Sequence, residues 1–592
     1  MPLFRLLCSI VQRHWSVDPP AKTPAEVEAE KYLICIPAPF ENDSFYYARC
    51  IRFNRWYIFI SAFLSQFCLG SLYAWSVYNE YIDRYVTGDP TAGKAVMAYY
   101  IAISCLGLAA ALFGPWLEKV GPRRGIAVGT TLFLLGHIGT GVAISMKSMA
   151  GIYIAYGIVG GVGIGLCYSS PIATLQKWFP DLRGTASGFA VCGFGAGPVL
   201  WAMLFPYPLD AWGAKLYISF PAFGILMSLV LYMCAMVMRN PPSNFRIHGK
   251  DMHGVYHESI NLLQNESDTY RSTSLKDRRR NGTELQAPRQ TENGNVILFV
   301  PEDLNIPAED LNIPVAEEKP HPHQYYRECE LDDAELFYFQ RVKQLKLADC
   351  VFSLDFLFLY LTFLFSIVFG LIIISRLKDM DVYIFSANIN NITAADTDRA
   401  KKMVSSNAIF NFLGRLIWPV LSDIIIRLLS LNPATGRKFI FFLNLCVQLV
   451  VALFLRSAID TQSHSTFQAL VWSLTFVYGG GIGTIPCFLC DMFGAYNIGA
   501  LHGIILTCTA IAGVGGGIGF TYIFDDAQIN HSILSAYDNS IPLFAIGVSI
   551  GLLSLLLVRT NPVDRFAPGY QFSVGRFMLC NFKPKGWQFR DY

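Results

Sequence analysis

Gly114-Pro-Trp-Leu-Glu118-Lys-Val-Gly121-Pro-Arg123-Arg124 stands between two long apolar runs, and its reading decides the fold. An acidic residue, a turn glycine and paired arginines between two hydrophobic helices form a charged hinge at a membrane surface. A shorter echo, Ser422-Asp423 followed by Arg427, occupies the same place in the second half of the chain. Repeated halves of this kind are built by several secondary transporters, with the substrate site at their interface.

Composition agrees. Hydrophobic residues make up 53% of the 592 and charged residues only 15%, where a soluble domain carries about 25% charged. The apolar residues fall into runs of about 18–24, bilayer-spanning lengths. A net charge of +2 suggests no nucleic-acid partner. The fifteen cysteines are scattered, many within apolar runs, so they form no disulfide framework. Cys487-x-x-Cys490 has no second pair at zinc spacing, and neither metal nor cofactor is expected. The first 15 residues are too short and too broken by Arg5, Gln12 and Arg13 for a secretory signal, which leaves the first membrane helix as an uncleaved insertion signal.

Twelve spans are expected, at about 56–79, 95–116, 124–145, 150–173, 185–206, 215–237, 352–375, 402–425, 437–456, 466–488, 499–522 and 541–558. The organisation is a tail (1–55), a six-helix bundle (56–238), a linker (239–350), a second bundle (351–558) and a tail (559–592). The fold class is therefore an all-α membrane protein of two pseudo-symmetric six-helix bundles. The linker, rich in charge, Asn, Pro and Gln, cannot bury enough apolar surface to fold alone and reads as disordered. It holds Lys276-Asp-Arg-Arg-Arg280 and a tandem repeat, Glu302-Asp-Leu-Asn-Ile-Pro307 and Glu309-Asp-Leu-Asn-Ile-Pro314, either slippage or a docking motif.

The halves rhyme elsewhere. Span six ends Met238-Arg239-Asn240-Pro241 and span twelve ends Val558-Arg559-Thr560-Asn561-Pro562. Gly163-Ile-Gly165 matches Gly481-Ile-Gly483, and Gly184-x-x-x-Gly188 matches Gly499-x-x-x-Gly503. Lys119, Arg123, Arg124, Lys177, Arg183, Arg427, Arg437 and Lys438 fall in loops on one side, with acids such as Glu80, Asp83, Asp89, Asp525 and Asp526 opposite. The positive-inside rule then places both termini and the linker in the cytosol; the expected location is the plasma membrane, with an organelle membrane as the alternative. Sequons at Asn391 and Asn530 fall outside; those at Asn42, Asn265 and Asn281 stay bare.

Arg415 is the leading candidate for chemistry. It lies about eight residues from the cytosolic end of span eight, roughly 12 Å deep. An arginine at that depth costs at least about 2.5–3.5 kcal/mol. Asn407, Asn411 and Arg415 recur at i, i+4, i+8 and share one face. Either the guanidinium faces a central cavity and takes a carboxylate bidentately, or it is structural and satisfied by a carbonyl or an acid. Asp355 reads as a helix-start carboxylate, or else a gate or proton site. His137 and His502 either titrate as coupling groups or pack against carbonyls. In span one, Gln66, Gly70 and Tyr73 share a face, with Gln66 and Tyr73 placed to line a cavity. Trp75 and Tyr78 belong either to that wall or to an outer aromatic belt. Glycines in spans four, five, ten and eleven allow close helix approach, and Gly193-Phe-Gly195-Ala-Gly197-Pro198 adds a bend.

These residues resemble the major facilitator superfamily. The loop after span two matches its Gly-x-x-x-Asp/Glu-x-x-Gly-x-Arg-Arg motif through Gly114, Glu118, Gly121, Arg123 and Arg124. Gly193-x-x-x-Gly197-Pro198 resembles the span-five motif of its antiporters. Tyr73-Ala-Trp75-Ser-Val, Lys177-Trp-Phe-Pro-Asp-Leu-Arg183-Gly-Thr-Ala-Ser-Gly188, and Gly414-Arg415 leading to Ser422-Asp423 are similar to the oxalate:formate antiporter and monocarboxylate porter group. The resemblance implies that Arg415 holds a substrate carboxylate. The group's oxalate carriers add a lysine in span eleven, where this chain has Leu506-Thr-Cys-Thr509-Ala510-Ile511 and no lysine. A single buried cation suits a monoanion.

The reading is a monomeric carrier, not an enzyme, moving a small organic anion such as lactate, pyruvate or formate by alternating access. A coupled proton or counter-anion is an open partner, and symport, exchange and facilitated diffusion stay open. Glu118, Arg123, Arg124, Asp423 and Arg427 are expected to hold one gate shut. The alternatives are a carrier of a sugar, amino acid or vitamin such as pantothenate, and a transporter-like receptor.

Overall fold

The computed structural model of the protein describes residues 14–15, 22–37, 45–89, 93–252, 342, 345–386, 393–519, 533–565, 570–574 and 577–582, with interruptions at 206, 213–214, 243–244, 248–249 and 430. The Lys276–Arg280 run, the tandem repeat, the five sequon asparagines, Asp525 and Asp526 lie outside the described residues.

Eleven apolar helices are long enough to cross a bilayer by length and composition, and a shorter one completes the second set. They are α1 Trp56–Val77, α2 Val96–Val120, α3 Pro122–Ser145, α4 Met149–Trp178, α5 Arg183–Leu204 and α6 Leu216–Val237. The second set is α7 Leu354–Phe385, α8 Ala394–Leu428, α9 Pro433–Asp460, α10 His464–Phe493, α11 Ile498–Gly517 and α12 Ile541–Leu557. The architecture is all-α, with two short antiparallel hairpins, Cys35–Pro37 with Phe45–Tyr47 and Tyr570–Val574 with Phe577–Phe582, near the chain ends. Within the polar 239–350 stretch, Arg246–Ile247 pairs with Lys250–Asp251, and Leu347–Val351 is a helical turn leading into α7.

Helices α7 and α8 run well beyond the expected 352–375 and 402–425. Hydropathy marks where hydrocarbon ends, whereas a helix continues until its backbone is capped. Ser353 Oγ accepts the Phe356 N–H at 3.1 Å to start α7. Thr393 and Asp396 form a reciprocal capping box that starts α8 in polar sequence. The extended ends are tied together by Asp381, which is fully buried and accepts from Arg399 Nε at 2.9 Å and His464 Nε2 at 2.8 Å.

Three helices leave α geometry. From Gly70 to Val77, α1 tightens into 3₁₀ turns; α4 widens into π turns over Tyr153–Gly160 and α11 over Ala512–Ile518. The 3₁₀ change falls where α1 meets α5. Pro198 lacks an N–H, so it leaves the Phe194 carbonyl without its helical donor, and that oxygen faces Gly70 so closely that no Cβ fits. A Cβ on Gly197 would in turn lie 3.0 Å from the Gly70 Cα. Gly121 ends α2 at φ +88°, and Gly494 ends α10 at φ +83°. Both conformations belong to glycine.

Each bundle is clasped by an arginine two residues past its last helix. Arg239, after α6, donates to the carbonyls of Glu30, Tyr32 and Leu33 at 2.7–2.8 Å and lies 4.2 Å over the Phe53 ring. Arg559, after α12, grips Asp355 in the first turn of α7 at 2.9 Å and lies 4.8 Å over Tyr570.

Candidate functional site

Two seams join the bundles: α2 along α11, and α5 along α8. At their basic end both close by the same device, a carboxylate from one bundle capping the first turn of a helix in the other. Glu118, closing α2, accepts the Gly499 N–H at the start of α11 at 2.7 Å. Asp423, near the end of α8, accepts the N–H groups of Gly184 (3.0 Å) and Thr185 (2.7 Å) at the start of α5. A helix N-terminus carries partial positive charge and unsatisfied N–H groups, so it suits a carboxylate. The glycine explains itself: a Cβ on Gly499 or Gly184 would sit 2.5 Å from the capping oxygen. The matched Gly-x-x-x-Gly pair thus marks the two capped helix starts.

Each capping acid also holds a cation from its own bundle. Lys177 of α4 pairs with Glu118, and Arg437 of α9 pairs with Asp423 at 2.7 Å. Arg437 reaches Asp491 of α10 at 3.0 Å, and Arg183 of α5 meets the same Asp491 across the seam at 2.7 Å. Arg427 donates to the Asp181 carbonyl at 2.7 Å, and Ser187 Oγ to that of Gly483 at 2.6 Å, both between bundles. The paired arginines of the hinge do not reach the seam. Arg123 touches the Met236 carbonyl at 3.5 Å, Arg124 is exposed, and both act on the Glu26 carboxylate of the N-terminal segment. Burial nonetheless pushes the Glu26 pKa up, with Glu30 adding to it and Lys22, Arg123 and Arg124 opposing. The expectation that Arg123 and Arg124 lock the gate is corrected: they organise the adjoining segment. Lys177, Arg183, Arg437 and Asp491 make the ion pairs at the seam instead. Asp491 went unread in the sequence, although an acid at the end of an apolar helix is a signal of that kind.

Deeper in, Arg415 is 1% exposed. It stands thirteen positions before Leu428 at the end of α8, about 20 Å along the helix axis. Its Nε donates to Asn411 Oδ1 at 2.7 Å, one turn earlier on the same face. Its guanidinium carbon lies 5.8 Å from the Tyr73 ring and 5.6 Å from the Phe194 ring, within cation–π range. The phenols of Tyr73, Tyr168 and Tyr478 also bear on it electrostatically. No carboxylate pairs with it among the described residues, and its Nη2 is buried without a hydrogen-bond partner. Asn407, on the same stripe, is buried with Oδ1 unpartnered. Gln66 donates to the Tyr168 carbonyl at 2.8 Å.

The other candidates are dispersed. Trp75 does not join the wall around Arg415: its indole donates to the Ala95 carbonyl at 3.0 Å and stacks 3.9 Å from Tyr156 within the first bundle. His137 packs in that same aromatic core, its Nδ1 2.9 Å from the Phe133 carbonyl. Asp355 is held by Arg559, with Arg565 at 4.0 Å, at the basic end. His502 is buried between bundles, its ring 6.0 Å from that of Tyr168 and inclined to it at 30°. Gly114 lets α2 approach α11, where a Cβ would come within 2.9 Å of the Ala500 Cα, and Gly193 and Gly197 serve α5 against α1.

Comparison with known proteins settles the family. The profile of the Major Facilitator Superfamily matches residues 55–517. The chain belongs to the Major Facilitator Superfamily. It is therefore a transporter, not an enzyme. Among curated relatives of this facilitator, the oxalate:formate antiporter of Oxalobacter formigenes is 27% identical over 193 residues, covering 32% of this chain and 43% of the relative. Monocarboxylate transporter 13 of Rattus norvegicus is 27% identical over 188 residues, covering 31% and 41%. Such matches span about half, or less, of the length of those relatives. The proton:xylose symporter XylE, solved with 6-bromo-6-deoxy-D-glucose, shares the fold at a TM-score of 0.56 and 13% identity, covering 85% of this chain and 94% of XylE.

Proposed function

We propose that this facilitator moves a small organic monocarboxylate by alternating access, with Arg415 taking the carboxylate. One observation carries the reading: a buried guanidinium paired to no acid among the described residues, with an unpartnered Nη2. Burying an ion without a counter-charge costs several kcal/mol, and a bidentate carboxylate offsets that cost. One cation without a second suits a monoanion. The names of the antiporter and monocarboxylate transporter relatives support the same class. Asn411 fixes the guanidinium, and Tyr73, Phe194 and Tyr168 enclose the apolar remainder of the substrate.

With Arg415 at 1% exposure and the basic end sealed, the conformation is closed on that side. Rocking the bundles apart there breaks the Glu118–Gly499, Asp423–Gly184 and Arg183–Asp491 contacts. The gathering of basic residues at that end supports a cytosolic orientation for it and for both termini. The plasma membrane and a monomeric state complete the proposal.

The test is counterflow in proteoliposomes at two pH values, with lactate, pyruvate and formate against pantothenate and glucose. Arg415→Gln is expected to lower monocarboxylate exchange at least about 100-fold, and Arg415→Lys to retain a part, since an ammonium keeps the charge but not the fork. Unchanged uptake of every anion in Arg415→Gln ends the assignment; uptake of glucose or pantothenate alone redirects it.

A further inference from the structure

Among the buried polar atoms without partners are two on side chains set against the Tyr168 side chain. One is Arg415 Nη2. The other is Nδ1 of His502 on α11, whose residue is 1% exposed. The Tyr168 phenol bears on the guanidinium, and its ring lies 6.0 Å from the imidazole between centroids, inclined at 30°. Tyr168 itself is held in place through its backbone, whose carbonyl accepts from Gln66. The three side chains come from different helices, α8, α4 and α11, with one from the first bundle and two from the second.

Buried polar groups are ordinarily satisfied, so an orphan facing a candidate site calls for a partner. Resting on the carboxylate reading of Arg415, we infer that His502 is a specificity-determining residue, hydrogen-bonding a second, uncharged polar group of the substrate. The substrate class is then narrower than monocarboxylates at large. It is a monocarboxylate bearing a hydroxyl or carbonyl, oriented with its carboxylate on α8 and that group toward α11, across the face of Tyr168. A neutral imidazole has one donor and one acceptor nitrogen, so it serves a hydroxyl or a carbonyl alike. It does not replace the cation that a second carboxylate needs.

The experiment measures the uptake efficiency of matched acids in proteoliposomes: lactate and pyruvate against propionate, and 4-hydroxybutyrate against butyrate. The full-length protein is expected to favour at least one substituted acid over its plain partner about tenfold or more. His502→Leu is expected to bring that ratio to within about threefold of unity, and His502→Asn, which keeps a donor and an acceptor, to restore part of it. Wild-type ratios near unity, or a ratio that His502→Leu leaves intact, overturn the inference. If the leucine variant does not yield monodisperse protein, the asparagine variant decides, with a reduced ratio supporting the role and an unaltered one removing it. Failure of the wild type to move any carboxylate in the panel is a different result, which removes the Arg415 reading itself.

Discussion

At the scale of single residues, Glu118 and Asp423 were legible because acids do not sit beside apolar helices without cause. Their partners were not, since Gly499 lies 381 residues from Glu118 and Gly184 lies 239 from Asp423. Local pattern carries no information over such separations. Glu118→Gln keeps an acceptor for the Gly499 N–H but strands the buried Lys177 ammonium. Removing one member of a buried ion pair costs about 3–5 kcal/mol, so a marked fall in melting temperature in detergent is expected, partly recovered by Glu118→Gln with Lys177→Met. At the other end of the molecule, Asp396 has its pKa held down at about 2, first by the Thr393 hydroxyl, then by the Thr393 N–H and Arg399. A depressed carboxylate contributes stability above its unfolded value of 3.8 that is lost as pH falls toward 2. Hydrogen exchange at the start of α8 should therefore be flat from pH 8 to about 4, after correction for intrinsic rates, and rise below it. Asp396→Asn should abolish that dependence.

At the scale of elements, eleven of the twelve expected spans followed from hydropathy, because bilayer thickness fixes the length of an apolar run, and the last is a shorter apolar helix. Helix ends beyond the hydrocarbon did not, although Ser353 and the Thr393–Asp396 pair were capping signals in plain view. The 3₁₀ and π stretches of α1, α4 and α11 were illegible because they answer to neighbouring helices. Trp75 was misplaced for a related reason: its helix tightens just before it, which rotates the ring away from the face shared by Gln66 and Gly70. Gly70→Val tests that packing. The Phe194 carbonyl it meets is backbone and cannot step aside, so α1 must separate from α5. A loss of at least about 1–3 kcal/mol, seen as a lower melting temperature, is expected. Gly88→Val, at a position with nothing nearby but a φ of +83°, provides the contrast of pure backbone strain.

At the scale of the whole molecule, opening the basic end divides a charge network unevenly. Arg437, Asp423 and Asp491 stay together in the second bundle, while Arg183 leaves alone with the first. Arg183→Gln removes that tether and should raise the open population. Ser187, fully buried in the α5–α10 contact, offers the gauge. In a cysteine-free background carrying Ser187→Cys, maleimide labelling from the basic side should quicken about tenfold or more with Arg183→Gln, since a charged hydrogen bond contributes about 1.5–3 kcal/mol. An unchanged rate means Arg183 does not hold the gate. The clasps at Arg239 and Arg559 bear on something else, the order of events during synthesis. The carbonyls of Glu30, Tyr32 and Leu33 leave the ribosome early yet meet their arginine only when Arg239 follows some two hundred residues later, and Asp355 waits equally long for Arg559. Each half thus completes itself with its own last residues. Two polypeptides, translated separately and parted anywhere between residues 256 and 336, should find one another in the same membrane and work.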